Sequence, residues 1–387
     1  MAKITTSLFG ELAILPHPAE VPVKETLEFL TDVLQSYKGK EQRLQLRSKP
    51  RHYYEYKIPV QVWNSAAAFN TEAGAIRKRW AVPVWTEAQF IGDIAEAAVS
   101  VSCNTSLYDL RANSLALLFV NYESWQIVEI VSKTSNSITP LNSLSAMNGA
   151  WLIPIRLGWI AGNIDKPTNG HNGKTSVMFE IEDSLSLVPP APAQYLSKDI
   201  YYDAGLLSGD SVSRSIQQRA DVVDYSLGPT ARRSPWDFSR YGSPHRSIIE
   251  GASKMRDYKN FLFRRAGKFR EFFIPTFENN LSCLNVGTVD STLVVKSDSF
   301  IDYANFRTSI AVQRMNGTWL ARGISNPVQI DLERIQLTLS SALNIQASDI
   351  ARISFLNLHR FDADLIEITW IGNNVAESEV QILEIAQ

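Results

Sequence analysis

The chain is poor in the residue patterns that carry chemistry. It has two cysteines, Cys103 and Cys283, with no ligand-like spacing. A single disulfide between the two halves is allowed by that count, but a pair of reduced, buried thiols is the reading the composition favours. The five histidines (His17, His52, His171, His245 and His359) are scattered, with no His-x-x-x-His or Glu-x-x-His among them, so no zinc site is supported. No Gly-x-Ser-x-Gly elbow marks a nucleophile. The net charge of −2 gives no electrostatic reason to expect nucleic acid or an acidic membrane as the main partner. No window approaches 18 uninterrupted apolar residues, and residues 1–11 contain no sustained apolar h-region. The expectation is a soluble protein that folds in a reducing compartment.

Two patterns imitate chemistry. Asn169-Gly-His-Asn-Gly-Lys-Thr-Ser176 ends like a phosphate-binding loop, but Thr168 stands where the pattern needs its first glycine, and the residues after Lys174-Thr175 alternate like a strand rather than a helix. A polar hairpin tip fits better. The acidic pairs Glu182-Asp183 and Asp362 with Asp364 are of a kind common on exposed loops, and without a pocket they say nothing about acid–base catalysis. The sequence therefore offers no catalytic residue, no cofactor site and no metal site, and the expectation is that the protein is not an enzyme.

What the chain does have is length, aromatics and repetition. At 387 residues it is too long for one ordinary core. Nine tryptophans and thirteen tyrosines suit β-sheets and protein–protein interfaces. Short runs of strand character recur between Asn, Ser and Gly clusters, as at 41–47, 52–62, 95–102, 114–122, 125–133, 150–160 and 176–181. Residues 27–37 suit either a helix face or a strand. Helices are expected only in short pieces: a short helix or turn at 63–75, and a helix at 243–258, where Ile248, Ile249, Ala252 and Met255 would share a face. Asn316-Gly317 is a two-residue hairpin signal. The clearest linker is Leu187-Val-Pro-Pro-Ala-Pro-Ala193.

One motif occurs twice. Arg77, Lys78 and Arg79 run into Trp80, Pro83 and Trp85; far downstream Arg264, Arg265, Lys268 and Arg270 run into Phe272, Pro275 and Phe277. Aligned on the prolines, Trp80 falls opposite Phe272, Val82 opposite Ile274, Trp85 opposite Phe277 and Glu87 opposite Asn279, with Gly74 and Gly267 preceding by nine and eight residues. An Arg-rich aromatic segment introduces each copy, Arg47 to Tyr56 and Ala231 to Phe238. The expected fold is mainly β: two related β-sandwich or barrel-like domains from an internal duplication, with few short helices. Residues 1–187 would form the first domain with an N-terminal arm, 188–194 the linker and 195–387 the second. The candidate core or interface residues are Arg77, Arg79, Trp80, Pro83, Trp85, Arg264, Arg270, Phe272, Pro275 and Phe277. Arginines beside aromatic rings stack on them and pair with carboxylates, which the near-neutral net charge favours over a nucleic-acid face.

Leu30-Thr-Asp-Val-Leu, Gly39-Lys-Glu-Gln-Arg43, Leu46-Arg and Pro50-Arg51 together resemble the N-terminal signature of minor tail proteins of long-tailed bacteriophages. The repeated basic-Gly…aromatic-x-x-Pro-x-aromatic motif and the run from Arg352 to Trp370 are similar to segments of the same proteins. The resemblance covers most of the chain in patches, with the insert near residue 170 and residues 195–230 outside it. It implies a structural protein of the tail tip, of the distal tail or baseplate-hub kind, forming a ring that joins the tail tube to the host-recognition apparatus. It also implies location in the virion tail after assembly in the host cytoplasm. The implied partners are further copies of the chain (trimer or hexamer) and other tail proteins (tube, tape-measure, hub or fibre), with genome DNA only in transit and no stable membrane association. A duplicated domain would meet sixfold symmetry with three copies, its proline-aromatic motifs at or near contacts between domains. The rival reading is a carbohydrate- or receptor-binding β-sandwich module of a virion.

Overall fold

The computed structural model describes residues 2–59, 76–165, 174–182, 190–205, 215–236 and 240–385. The fold is mainly β, and its sheets are antiparallel almost throughout. In the first half the strands that set the architecture are β1 (Glu20–Glu28), β2 (Thr31–Gln35), β3 (Glu41–Gln45), β4 (Arg51–Pro59), β5 (Trp80–Pro83), β6 (Ser114–Phe119), β7 (Trp125–Lys133), β8 (Met147–Asp165) and β9 (Lys174–Ile181). Their counterparts in the second half are β10 (Ser215–Gln217), β11 (Asp221–Val223), β12 (Ala231–Arg233), β13 (Arg240–Glu250), β14 (Phe272–Pro275), β15 (Ser309–Arg314), β16 (Trp319–Gln329), β17 (Ile350–Phe361), β18 (Leu365–Gly372) and β19 (Val375–Glu384). Helix α1 (Ala252–Arg265) separates β13 from β14.

Period-two alternation builds the inner layer. Val23, Leu27, His52, Tyr54, Tyr56, Ile58, Val177, Phe179 and Ile181 all point into the core while their neighbours in sequence face outward. The inner sheet runs β10–β13–β19–β18–β1–β4–β9–β8, every neighbouring pair antiparallel. Each half supplies a block of consecutive strands, and the blocks meet where β18 pairs with β1 from Leu365↔Glu28 to Trp370↔Val23.

The two blocks repeat one another pairing by pairing. Strand β8 carries β6 and β5 on its first part and β9 on its second. Strand β17 carries β15 and β14, then β19 at its end. The hairpin β2–β3 follows β1, and the hairpin β11–β12 follows β10. In the second half a turn at 362–364 divides into β17 and β18 what is one strand, β8, in the first.

One core lies under the shared sheet and draws on both halves: Leu27, Tyr54, Trp80 and Phe179 pack with Tyr258, Leu262, Phe272, Phe361, Ile368 and Trp370. Each half also has an outer core of its own, around Leu118, Val128 and Leu152 in the first and around Leu293, Val312 and Ile353 in the second. The division expected at 188–194 thus falls between two halves of like layout whose inner layers form one continuous sheet.

Several local expectations differ from the structure. Residues 243–250 belong to β13, not to a helix: Ser247 and Ile249 point inward with the period of a strand that pairs with β19 along its length, and α1 begins only after Gly251 at φ 92°. Residues 27–37 resolve into strands β1 and β2. Of residues 95–102 only Val101–Ser102 is strand. Cys103 and Cys283 are unpaired thiols. The short helix or turn expected at 63–75 with Gly74, the insert around 169–173 and the first part of the linker lie outside the described residues. Among the described residues, no helix is long and apolar enough to cross a membrane.

Candidate assembly interface

The repeated motif forms matching strands. Trp80 and Phe272 are each about 1% exposed. Trp80 stands opposite Gly158 and Pro83 opposite Ile155; Phe272 stands opposite His359 and Pro275 opposite Leu356. Trp80 meets Phe179 edge-on at 5.5 Å, and Phe272 packs on Phe261 at 5.1 Å and Phe361 at 5.2 Å. Half-buried Trp85 is edge-on to Phe119, and half-buried Phe277 is edge-on to Trp319. All of these are core anchors within one chain, Trp80 and Phe272 inside the core that both halves share. In the turn after each strand, Glu87 accepts the N–H of Asp109 at 2.7 Å and Asn279 accepts the N–H of Ile353 at 3.2 Å, so the aligned positions hold different partners.

The arginines of the motif separate into two kinds. Arg79 grips Glu182 through Nε at 3.0 Å, and Arg264 grips Asp199 with Nε and Nη2 at 2.6 and 2.7 Å. Arg265 joins Arg264 on the same carboxylate, and burial lowers its pKa to about 10. Arg77 and Arg270 are exposed; Arg270 lies over the Phe269 ring.

The polar contacts that weld the halves centre on Glu25, Glu41 and Asp364, which lie outside the motif. Glu25 on β1 is fully buried. Its carboxylate accepts from Trp370 Nε1 at 2.9 Å, from His52 Nε2 at 2.9 Å and from the Tyr54 hydroxyl at 3.3 Å, and it pairs with Lys259 Nζ at 2.9 Å. Lys259, on α1, also reaches Glu87 at 3.1 Å. Burial pushes the Glu25 pKa up, but Lys259 and His52 outweigh burial and hold it below the ordinary carboxylate value. Burial likewise works against the charge on Lys259, and Glu25 with Glu87 more than offset it.

A second clamp fixes the hairpin of the first half to the base of the second. Glu41 on β3 accepts from Arg240 at 2.9 Å and from Arg360 at 2.8 Å, all three side chains buried. Asp364 adds a third tie: its carboxylate accepts the backbone N–H of Thr31 at 2.8 Å and of Lys268 at 2.9 Å. Gly267 is required there, because its φ is +65° and a Cβ would lie 2.3 Å from the Asp364 carboxylate.

The donors around Glu25 are core side chains and Lys259 of α1, and two clefts among the described residues lie elsewhere. One, of about 340 Å³, lies between residues 4–6 and β7; the other, of about 600 Å³, is an open trough beside Arg314 and Asp349. In the first, Glu129 already accepts the backbone N–H groups of Ser7 and Leu8. Among the described residues no group of three His, Cys, Asp or Glu side chains is placed to hold a metal ion. Motif spacing could not reveal Glu25, Lys259, Glu41 and Arg360, since their partners are distant in sequence. The signal available was a charged residue at an inward position of an alternating strand, as Glu25 is between Val23 and Leu27. No protein-family model and no curated protein matches this chain.

Proposed function

We propose that the chain is a structural protein of a bacteriophage tail tip, forming a ring that joins the tail tube to the distal host-recognition apparatus. The observation that carries this reading is the tandem block. Two copies of one four-strand arrangement stand side by side in a single antiparallel sheet, bonded edge to edge at β18–β1. Three copies of a chain built this way would present six similar blocks, as a sixfold ring requires. The buried charge clamps suit a rigid scaffold, and the sequence motifs resemble those of tail proteins.

The test is native mass spectrometry of the purified protein over a range of concentrations. A discrete trimer or hexamer is expected. A stoichiometry incompatible with three or six overturns the reading, and a monomer that binds glycans in an array screen would establish the carbohydrate-binding alternative in its place.

A further inference from the structure

We infer that the outer edges of the inner sheet are a docking pair for a second copy of this chain. Strand β10 with the β11–β12 hairpin of one copy would add onto the edge of β8 in the next. The intramolecular seam is the template. Strand β1 corresponds to β10, because Glu28 and Leu27 pair with Arg51 and His52 as Gln217 and Ile216 pair with Arg240 and Tyr241. Strand β18 corresponds to residues 163–165 of β8, which continue past β5 as β18 continues past β14. Inside the chain these two edges are bonded to each other, with Leu27 opposite Ile366. Among the described residues, the outer edge of β10 and the edge of β8 opposite β9 beyond Gly158 have no strand partner.

The side chains at the open edges match what the seam would bury. Leu27 is 1% exposed, whereas its counterpart Ile216 is 59% exposed. Carrying the seam register across sets Ile216 opposite Ile164, the counterpart of Ile366. The hairpins tell the same story. Hairpin β2–β3 is clamped onto the second half through Glu41, Arg240 and Arg360. Its counterpart β11–β12 carries Val222, Val223, Tyr225 and Leu227 exposed, the last at 95%. The position of Arg360, where the first hairpin docks, is occupied in the first half by Trp159, 41% exposed, with Met178 beside it. An apolar hairpin would therefore meet an apolar platform where the internal seam uses ion pairs. Unpaired edges and clustered exposed apolar side chains of this kind mark association surfaces. The contact is head to tail, so it extends to a ring or a filament according to its angle. Closure at three rests on the function proposed above.

The experiment mixes two single-cysteine proteins, Ile164→Cys and Ile216→Cys, each in a background with Cys103→Ala and Cys283→Ala, under mild oxidation. The expected result is a disulfide-linked dimer of one protein with the other, greatly exceeding dimers of either alone, and loss of the native oligomer in Ile216→Asp with an unchanged circular dichroism spectrum. The protein carrying both cysteines should give a covalent product that stops at three chains. A trimer that forms without the 164–216 link overturns the seam and leaves the ring reading standing. Links that run on past three or six chains uphold the seam and overturn the ring. A protein that stays monomeric and unlinked at every concentration overturns the docking pair.

Discussion

Trp370 Nε1 donates to Glu25 Oε2 at 2.9 Å, although the two residues stand 345 positions apart in the chain. Both side chains are buried at the line where the two halves of the sheet meet, and Lys259 from α1 completes the pair. The halves thus share a buried charge as well as a surface.

Lys259→Met leaves Glu25 and Glu87 without their buried cation. Removing one partner of such a pair costs about 3–5 kcal/mol. A large fall in the midpoint of thermal unfolding is expected, followed by circular dichroism, with Glu25→Gln similarly destabilised. A midpoint unchanged in both variants would show that the cluster contributes nothing to the joint between the halves.

Acid should loosen the protein in two steps. His359 is buried, and burial, with Arg307 and His245 nearby, lowers its pKa from 6.5 to about 4. The unfolded chain therefore binds a proton that the folded chain refuses between these values, and stability is lost as pH falls from about 6.5 to 4, by about 3 kcal/mol. Glu25 contributes in the same direction at lower pH: its folded pKa is depressed, so its stabilisation is present above the ordinary carboxylate range and disappears as pH falls through and below it. Urea unfolding of His359→Phe at pH 7 and pH 5 checks the first step. The variant should show a smaller loss between the two pH values than the wild type.

Gly267→Ala should be destabilised by about 2–3 kcal/mol, since the positive φ and the approach of Asp364 and Phe29 both oppose a Cβ. Gly228→Ala, where nothing lies within 4 Å and φ is unstrained, is the control and should be near neutral. Equal unfolding midpoints for the two variants would count against the tie through Asp364.

Within the repeated motif, Trp80→Ala and Phe272→Ala should each cost about 3–5 kcal/mol, as large-to-small changes in a closed core do. Arg77→Ala and Arg270→Ala lie at exposed positions and should shift stability by no more than about 0.5 kcal/mol. Parallel melting curves of the four variants test the contrast.

The mainly-β class, a hairpin at Asn316-Gly317 (closed by Arg314 and Thr318 around three residues instead of two) and the equivalence of Trp80 with Phe272 were legible in the sequence. Each depends on a local rule: alternation with period two, a turn that needs positive φ, or a motif repeated in register. Pattern reading erred at 243–250, where the spacing of Ile248 and Ile249 suits a helix face as well as a strand; pairing with β19 decided it. The motif arginines showed which residue types matter but not which carboxylates they meet. Asp199 and Glu182 reach them only through folding.

Composition and local periodicity, then, determined that this chain would form strands, bury its aromatics and repeat its layout, because those properties depend on neighbours a few residues apart. Only the tertiary structure decided that the two halves share one sheet, that Glu25, Lys259 and Trp370 meet inside it, and that β1 is paired on both edges while β10, among the described residues, is paired on one. Those outcomes depend on which edges lie side by side in space, and strand edges carry nearly the same backbone donors and acceptors whatever their sequence.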